Sequence, residues 1–222
     1  MSAPALVFDL DGTLVDSVYQ YVLAWHEALH ANGIELSVWR IHRRIGMSGG
    51  LFTRQLLRET GRDFDETLLA RLRELHAEAY LRQIDQVRPL PGARSLLMRL
   101  TEVGCPWAIA TSGRIESAGP ALAMLDVPEG TPIVTRDLVA HAKPDPDLFL
   151  EAARRMGVSV EDLVIVGDSV WDLLAARRAR ALGIAVLSGG YGRAELEAAG
   201  AYRIYEDPAE LLAHLDEVGV RS

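Results

Sequence analysis

Three residue types are nearly absent from this chain of 222 residues. Cysteine occurs only as Cys105, asparagine only as Asn32, and all of the 23 basic residues except Lys143 are arginine. A single cysteine excludes an intrachain disulfide and fits a reducing compartment. In a sequence that favours arginine, one retained lysine is either chance or a site that needs a compact ammonium group, which a planar guanidinium cannot replace.

The sequence also lacks the features of membrane, secreted and nucleic-acid-binding proteins. No apolar run approaches the ~20 residues that span a bilayer, and the run before Asp9 is shorter than that of a signal peptide. The net charge is −8, and the arginines are scattered among acidic residues, which disfavours a polyanionic partner. We therefore expect a cytoplasmic protein that binds neither membranes nor nucleic acids, as a monomer or a small homo-oligomer.

The order of the predicted elements indicates an α/β fold. Apolar runs rich in Val, Ile and Ala predict four buried parallel strands: Ala5–Phe8, Trp107–Ala110, Leu163–Val166 and Ile184–Leu187. Segments with helical periodicity lie between them, each followed by a glycine suited to a helix C-terminus: Ala93–Val103, Pro146–Met156 and Trp171–Leu182. This alternation predicts a doubly wound, Rossmann-like parallel sheet covered by helices.

Residues 17–88 interrupt this alternation, because they contain helical patterns with no convincing strand between them. We predict a helical domain at 17–88, inserted into a core domain made of residues 1–16 and 89–222. The periodicity predicts a helix over about 17–31 and another over about 65–84. Their inward residues would be Ala24, Ala28 and Leu29 in the first helix, and Leu68, Leu69, Leu72, Leu75 and Tyr80 in the second.

Two pairs of aspartates follow predicted strands, at the edge where an open α/β sheet binds ligands. Asp9 and Asp11 come directly after the first strand, and both can face the crevice if the backbone turns at Gly12. The Asp-x-Asp-Gly pattern also occurs in calcium-binding loops, but the glutamate that closes such a loop is missing here. Asp168 and Asp172 follow another strand. Carboxylates brought this close repel one another, and a hard cation, most simply Mg²⁺, relieves the repulsion.

Two further segments carry residues suited to a phosphate group. Thr111 and Ser112 follow the strand Trp107–Ala110 and offer hydroxyl and backbone donors to phosphate oxygens. Lys143 precedes Pro144 in what we predict to be an extended loop, where its charge can balance both a phosphate and the aspartates. Each motif alone has an ordinary structural explanation, but their joint occurrence at strand ends indicates one site.

The motifs resemble, in the same chain order, the four motifs of the haloacid dehalogenase superfamily. They are Asp9-x-Asp-Gly-Thr13, Thr111-Ser112, Lys143-Pro144 and Gly167-Asp-x-x-x-Asp172. The helical insert resembles the cap domain of the superfamily branch that contains phosphoglycolate phosphatases and β-phosphoglucomutases. The resemblance therefore implies a phosphatase that acts on a small phosphorylated metabolite, either a phosphoglycolate-like acid or a sugar phosphate.

The resemblance also implies a role for each motif residue. Asp9 would be the nucleophile that forms an aspartyl phosphate, and Asp11 the general acid and base. Lys143, Thr111 and Ser112 would hold the phosphoryl group. The Mg²⁺ ligands would be Asp9, Asp11 through its backbone carbonyl, and Asp168, with Asp172 in support.

The loop near residues 43–48 of the insert, which includes Gly46, would face the site and help to select the substrate. Arg43, Arg44 or Arg54 could pair with a second anionic group of the substrate. An equally good interpretation is that all three are charges on helix surfaces.

Other activities of the same superfamily fit the sequence less well. Dehalogenases typically have no acid at the position of Asp11. Phosphomutases of the β-phosphoglucomutase type carry a histidine and an arginine where Tyr21 and Gly49 stand, so mutase activity is the alternative to hydrolysis. A non-catalytic binding module would not need both Asp9 and Asp11.

His26-Glu-Ala-Leu-His30 fits the zinc-protease pattern of two histidines four residues apart on a helix. The extended form of that pattern requires a third histidine, and Leu36 occupies its position. We therefore expect His26 and His30 to lie on the surface of the first helix of the insert.

Overall fold

The computed structural model describes residues 4–61 and 66–220 and confirms the α/β fold. A parallel sheet carries helices on both faces, and a separate group of helices lies between residues 18 and 81. No helix in the described ranges is both long and apolar enough to cross a bilayer.

Eight strands form within the described residues. They are β1 (Ala5–Phe8), β2 (Val15–Asp16), β3 (Arg88–Pro89), β4 (Trp107–Ala110), β5 (Ile133–Val134), β6 (Leu163–Gly167), β7 (Leu182–Val186) and β8 (Ile204–Tyr205). Ten α-helices form in the same ranges. They are α1 (Val18–His30), α2 (Val38–His42), α3 (Gly49–Thr60), α4 (Glu66–Leu81), α5 (Ala93–Glu102), α6 (Ile115–Ala123), α7 (Asp147–Met156), α8 (Val170–Ala179), α9 (Arg193–Ala199) and α10 (Pro208–Ala213).

The main sheet has the strand order β5-β4-β1-β6-β7-β8, and every neighbouring pair is parallel. After β1, the chain adds β4 and β5 on one side of it, and then crosses to the other side and adds β6, β7 and β8. The carboxyl ends of β1, β4 and β6 therefore lie side by side at the point where the strand order reverses, where sheets of this type bind ligands.

Alternating side chains of β1 pack into two different hydrophobic clusters, because successive strand residues point to opposite faces. Leu6 and Phe8 pack with residues of α5, α6 and α10, whereas Ala5 and Val7 pack with residues of α7 and α8. Both faces of the sheet are thus covered, which explains why its strands are apolar without a break.

Helices α1 to α4 share a third hydrophobic cluster, which includes Val22, Trp25, Phe52, Leu69 and Leu72. The chain enters and leaves this region through a two-residue antiparallel ladder between β2 and β3. This ladder lies at the predicted boundaries of the insert. The division of the chain into two domains stays a prediction.

The insert helices agree in part with their predicted bounds. The predicted first residue of the second helix, Asp65, lies outside the described residues, and α4 ends at Leu81 rather than near residue 84, where a 3₁₀ turn follows. The predicted inward residues of α1 are all buried. Those of α4 are buried or half-buried, with Leu68 and Leu75 packed against the cluster from its edge.

The predicted end of the helix after β6 was wrong. Helix α8 ends at Ala179, and Arg180 adopts a left-handed conformation with φ 62°. Leu182 and Gly183, predicted as the end of the helix, instead pair with Val164 and Ile165 in the sheet. A Cβ at Gly183 would lie 3.0 Å from Leu173 Cδ2, so this glycine allows α8 to pack closely on β7. Strand β7 also ends one residue before the predicted limit, Leu187.

Candidate active site

The turn after β1 brings two of the predicted aspartates together. Gly12 has a φ of 79°, and a Cβ at this position would lie 2.6 Å from Val18 Cγ2 and 2.7 Å from Asp168 Cγ. Only glycine fits both the left-handed backbone and this close approach. The next residue, Thr13, donates a hydrogen bond of 3.1 Å to Asp168 Oδ1. The turn that follows Asp9 is therefore fixed against the end of β6.

Asp9, Asp168 and Asp172 form one buried acidic group. Each contributes a carboxylate oxygen to a set whose members all lie within 4.8 Å of one another. Asp172 Oδ2 accepts hydrogen bonds from Ser169 Oγ at 2.5 Å and Ser169 N at 3.2 Å, in a capping box at the start of α8. The group thus consists of the carboxylates predicted from the ends of β1 and β6.

Lys143 is the cation that faces this group. Its side chain is fully buried, and Nζ lies 2.5 Å from Asp9 Oδ1 and 2.8 Å from Asp172 Oδ1. The chain reaches it through a loop in which the Lys143–Pro144 peptide bond is cis. A single lysine at this point contacts two of the three carboxylates at once.

One lysine does not balance three buried carboxylates. Burial, aided by Asp172, raises the pKa of Asp9 to about 7 despite the lowering effect of Lys143. Burial and the neighbouring Asp172 and Asp9 raise the pKa of Asp168 well above its usual value. For Lys143, burial acts to lower the pKa, but the attraction of Asp172 and Asp9 outweighs it. The pKa of Lys143 therefore stays above its usual value, and the ammonium is retained. The group therefore favours an additional positive charge.

The donor atoms of this group fit Mg²⁺, which prefers carboxylate and other oxygen ligands. Within residues 4–61 and 66–220, it is the one set of three or more His, Cys, Asp or Glu residues whose ligand atoms lie close enough together to hold a metal. His26 and His30 are not part of such a set, and His30 is exposed and bonds to Glu35 at 2.8 Å.

The carboxylate of Asp11 is held apart from this group. Its Oδ1 accepts a hydrogen bond of 2.6 Å from Ser17 Oγ. Burial raises the pKa of Asp11 to about 6, and the bond from Ser17 opposes this shift. A carboxyl group with such a pKa can both give and accept a proton near neutral pH.

Thr111 and Ser112 follow β4 and lie beside these acids. Thr111 is buried, and its Oγ1 accepts a bond of 3.0 Å from the Gly113 N–H. Ser112 Oγ donates a bond of 3.1 Å to the carbonyl oxygen of Gly46. The predicted phosphate-binding segment is thus tied to the predicted substrate loop.

A cavity of about 260 Å³ joins the predicted site residues to the helices of the insert. The first part of its lining is the set of residues predicted from the motifs and the loop: Asp9, Asp11, Thr111, Ser112, Lys143 and Gly46. The second part comes from the insert and includes Tyr21, Trp25, Phe52, Arg73 and His76. Asp168 and Asp172 are not part of this lining, but their carboxylates lie within 4.8 Å of that of Asp9.

The 43–48 loop and the helix before it are attached to the core by several hydrogen bonds. Ser48 N donates to the carbonyl oxygen of Lys143 at 2.9 Å. Tyr191 Oη donates to the carbonyl oxygen of Arg43, also at 2.9 Å. At the end of α2, the His42 ring lies 2.9 Å from the carbonyl oxygen of Gly189. These contacts hold the loop and α2 against the core beside the cavity.

Of the three arginines considered from the sequence, only Arg44 lines the cavity, and it forms an ion pair with Glu59. Arg43 lies over the Tyr191 ring and pairs with Glu195. Arg54 is exposed.

The sequence interpretation missed Arg73 and His76, which both line the cavity from α4. His76 is buried, with its ring 4.1 Å from that of Trp25 and 5.3 Å from that of Tyr21. Burial lowers the pKa of His76 to about 3, so the ring is neutral. One available signal was that His76 follows Leu72 and precedes Tyr80 by one helical turn, which places it on the apolar stripe of α4.

Comparisons with known proteins agree with the motifs. Residues 3–180 match the haloacid dehalogenase-like hydrolase family. Hexitol phosphatase A of Escherichia coli K12 is 31% identical over 188 residues, which cover 84% of each chain. A phosphoglycolate phosphatase of Rhodobacter capsulatus is 30% identical over 198 residues, or 88% of this chain and 89% of the relative. The crystal structure of a hydrolase from Pseudomonas syringae has a TM-score of 0.95 at 52% identity and covers 97% of this chain and 99% of that one.

Proposed function

The chain belongs to the haloacid dehalogenase-like hydrolases and is a phosphatase, and we propose that it hydrolyses a small phosphomonoester through an aspartyl phosphate on Asp9, with Mg²⁺ as cofactor. One observation carries the proposal: Asp9 lines a cavity while its carboxylate is fixed at 2.5 Å from the buried Lys143. A carboxylate is already a nucleophile once ionised, so it needs positioning and a neighbouring positive charge rather than a base.

In the first step, an Asp9 oxygen attacks the phosphorus and the bond to the leaving alcohol breaks. Asp11 gives its proton to that alcohol, and then takes a proton from the water that hydrolyses the aspartyl phosphate. Thr111 and Ser112 hold the phosphoryl oxygens, and Lys143 offsets their charge. Asp11 suits this role because Ser17 holds its carboxylate away from the other three acids.

Asp9, Asp168 and the backbone carbonyl of Asp11 would hold the Mg²⁺ ion, with Asp172 in support. When bound, the ion would offset the negative charge of the phosphoryl oxygens. The raised pKa values of Asp9 and Asp168 support this assignment, because burial, together with the neighbouring carboxylates, disfavours their charged forms, and a bound cation would offset both effects.

Phosphomutase activity is the alternative, and the lining of the cavity does not favour it. Tyr21 and Gly49 both line the cavity, where mutases of the resembled type would carry a histidine and an arginine. A cytoplasmic location and a monomeric or small homo-oligomeric state stay predictions.

The test is phosphate release from an aryl phosphate and from a panel of small phosphate esters, with Mg²⁺ or with a chelator. The proteins compared would be the native chain, Asp9→Asn and the control Asp216→Asn, which changes an exposed carboxylate. We expect turnover that needs Mg²⁺, is lost in Asp9→Asn and is retained in the control. Native turnover by Asp9→Asn would contradict the proposed role of Asp9.

A further inference from the structure

The N-terminus of α3 opens into the cavity. Gly49 and Gly50 are the first two residues of this 12-residue helix, and both line the cavity. The first N–H groups of a helix have no partner within it, and they carry the positive end of the helix dipole. The side chain of Ser48 makes no capping hydrogen bond, and within the described residues no partner is found for the N–H groups of Gly49 and Gly50.

The two glycines leave space in front of this helix end. A Cβ at Gly49 would meet no atom within 4 Å, and a Cβ at Gly50 would meet only Arg73 Nη2, at 3.8 Å. Neither glycine has a positive φ. The fold therefore does not require glycine at either position, whereas a ligand that approaches the backbone closely would.

Arg73 is the second component, because its guanidinium lies beside Gly50 and lines the cavity. Among the residues that the structure describes, Arg73 has no ion-pair partner. The other arginines of the lining are engaged: Arg44 pairs with Glu59, Arg114 with Asp137, and Arg136 with the carbonyl oxygens of Val139 and Ala140. Arg73 is thus the cation available to a bound molecule.

His76 is the third component and provides independent evidence of a ligand. It lies one helical turn after Arg73, is more than nine-tenths buried and lines the cavity. Its Nε2 has no hydrogen-bond partner in the described parts of the chain. Buried polar atoms are nearly always paired, so a molecule that pairs with Nε2 would satisfy it.

We propose that the N-terminus of α3, Arg73 and His76 form a subsite for a carboxylate, and that the substrate is a phosphomonoester whose alcohol part carries this group. The inference rests on the proposed function. A guanidinium matches a carboxylate in a planar, two-bond arrangement, and a helix N-terminus binds anions through its N–H groups.

A carboxylate fits the subsite better than the hydroxyl groups of a sugar. Each buried hydroxyl needs its own hydrogen-bond partner. Besides Arg73 and His76, the side chains that the insert contributes to the lining are mostly apolar, such as those of Trp25, Met47 and Phe52. The other polar ones are Tyr21 and Arg44, and Arg44 pairs with Glu59, so few partners remain for several hydroxyl groups. One carboxylate would accept hydrogen bonds from the Arg73 guanidinium, from the helix N–H groups and from the neutral His76 ring in the tautomer that carries its proton on Nε2.

The test compares two probe esters, 2-phosphoglycolate and 2-hydroxyethyl phosphate. The first carries a carboxylate where the second carries a hydroxymethyl group. The quantity measured is the ratio of their kcat/KM values. We expect the native ratio to favour the carboxylate by about 10- to 100-fold, the usual effect of a charged hydrogen bond. Arg73→Gln should bring the ratio towards one. The control Arg71→Gln, an exposed arginine two residues earlier that pairs with Glu74, should keep the native ratio.

A second variant separates the subsite from folding. Gly50→Ala adds one methyl group in the cavity at a helical position where alanine favours the helix, so the thermal midpoint should be unchanged or higher while the ratio falls several-fold. The matched control is Gly119→Ala in α6, where a Cβ would meet no atom within 4 Å and which is not part of the cavity lining. It should keep the native ratio.

The outcomes distinguish the two proposals. A native ratio near one, or a ratio that Arg73→Gln and Gly50→Ala leave unchanged, would overturn the carboxylate subsite and leave the phosphatase proposal standing. If neither probe nor an aryl phosphate is hydrolysed in the presence of Mg²⁺, both proposals are overturned.

Discussion

Replacing Lys143 with methionine removes the positive charge beside three buried carboxylates while nearly preserving the side-chain volume. Nζ lies 2.5 Å from Asp9 Oδ1 and 2.8 Å from Asp172 Oδ1. At an effective dielectric constant of about 20, each of these attractions is about 6 kcal/mol. Much of that energy offsets the cost of removing the charges from water, so we expect the free energy of unfolding to fall by about 3–5 kcal/mol, as when one partner of a buried pair is removed.

The assay is urea unfolding at pH 7.5 in the presence of a chelator, followed by tryptophan fluorescence. The matched control is Arg71→Met, which removes an exposed arginine 3.5 Å from Glu74. A surface pair of this kind contributes about 1 kcal/mol or less. Domains have total stabilities of about 5–15 kcal/mol, so a loss of 3–5 kcal/mol is readily measured. If Lys143→Met costs no more than the control, the account of Lys143 as the charge that stabilises the acidic group is refuted.

Two further changes test other parts of the account. Gly12→Ala should lower the free energy of unfolding in urea by about 2–4 kcal/mol, because the added Cβ would lie 2.6 Å from Val18 and 2.7 Å from Asp168. The control Gly130→Ala has a similar φ of 85° but open space around the added Cβ, so it should lower the free energy of unfolding by only about 1 kcal/mol. A cost as small at Gly12 as at Gly130 would refute the packing argument. Burial lowers the pKa of His76 from 6.5 to about 3, so the unfolded chain binds a proton there before the folded chain does. The stability of the native protein relative to His76→Gln should therefore fall by about 1.4 kcal/mol for each pH unit between about pH 6.5 and the folded-state pKa of about 3. Parallel stability curves for the two proteins would contradict this.

The sequence predicted the strands that carry the site better than the strands at the sheet edges. Strands β1 and β4 have the predicted bounds, because an apolar run that ends at a polar residue marks a buried strand. Strands β5 and β8 have two residues each, too few for any periodicity. The end of α8 was misplaced because Gly183 resembles a helix stop, whereas its actual role is to let the helix pack on β7.

The site divides in the same way. Asp9, Asp11, Thr111 and Asp168 follow strands directly, so the parallel sheet alone brings them to one edge. The residues of α4 that line the cavity could not be predicted, because their position depends on how the insert packs on the core. Arg73 was one arginine among many, and nothing in its neighbours distinguishes it.

The central claim is that Asp9 becomes phosphorylated during turnover. The most direct test mixes the enzyme with a ³²P-labelled phosphate ester, quenches with acid within milliseconds and measures the label on the denatured protein. The account predicts label that hydroxylamine removes, as expected of an acyl phosphate, in the native protein and in Asp216→Asn but not in Asp9→Asn. Native turnover without protein-bound label, or label that persists in Asp9→Asn, would contradict it.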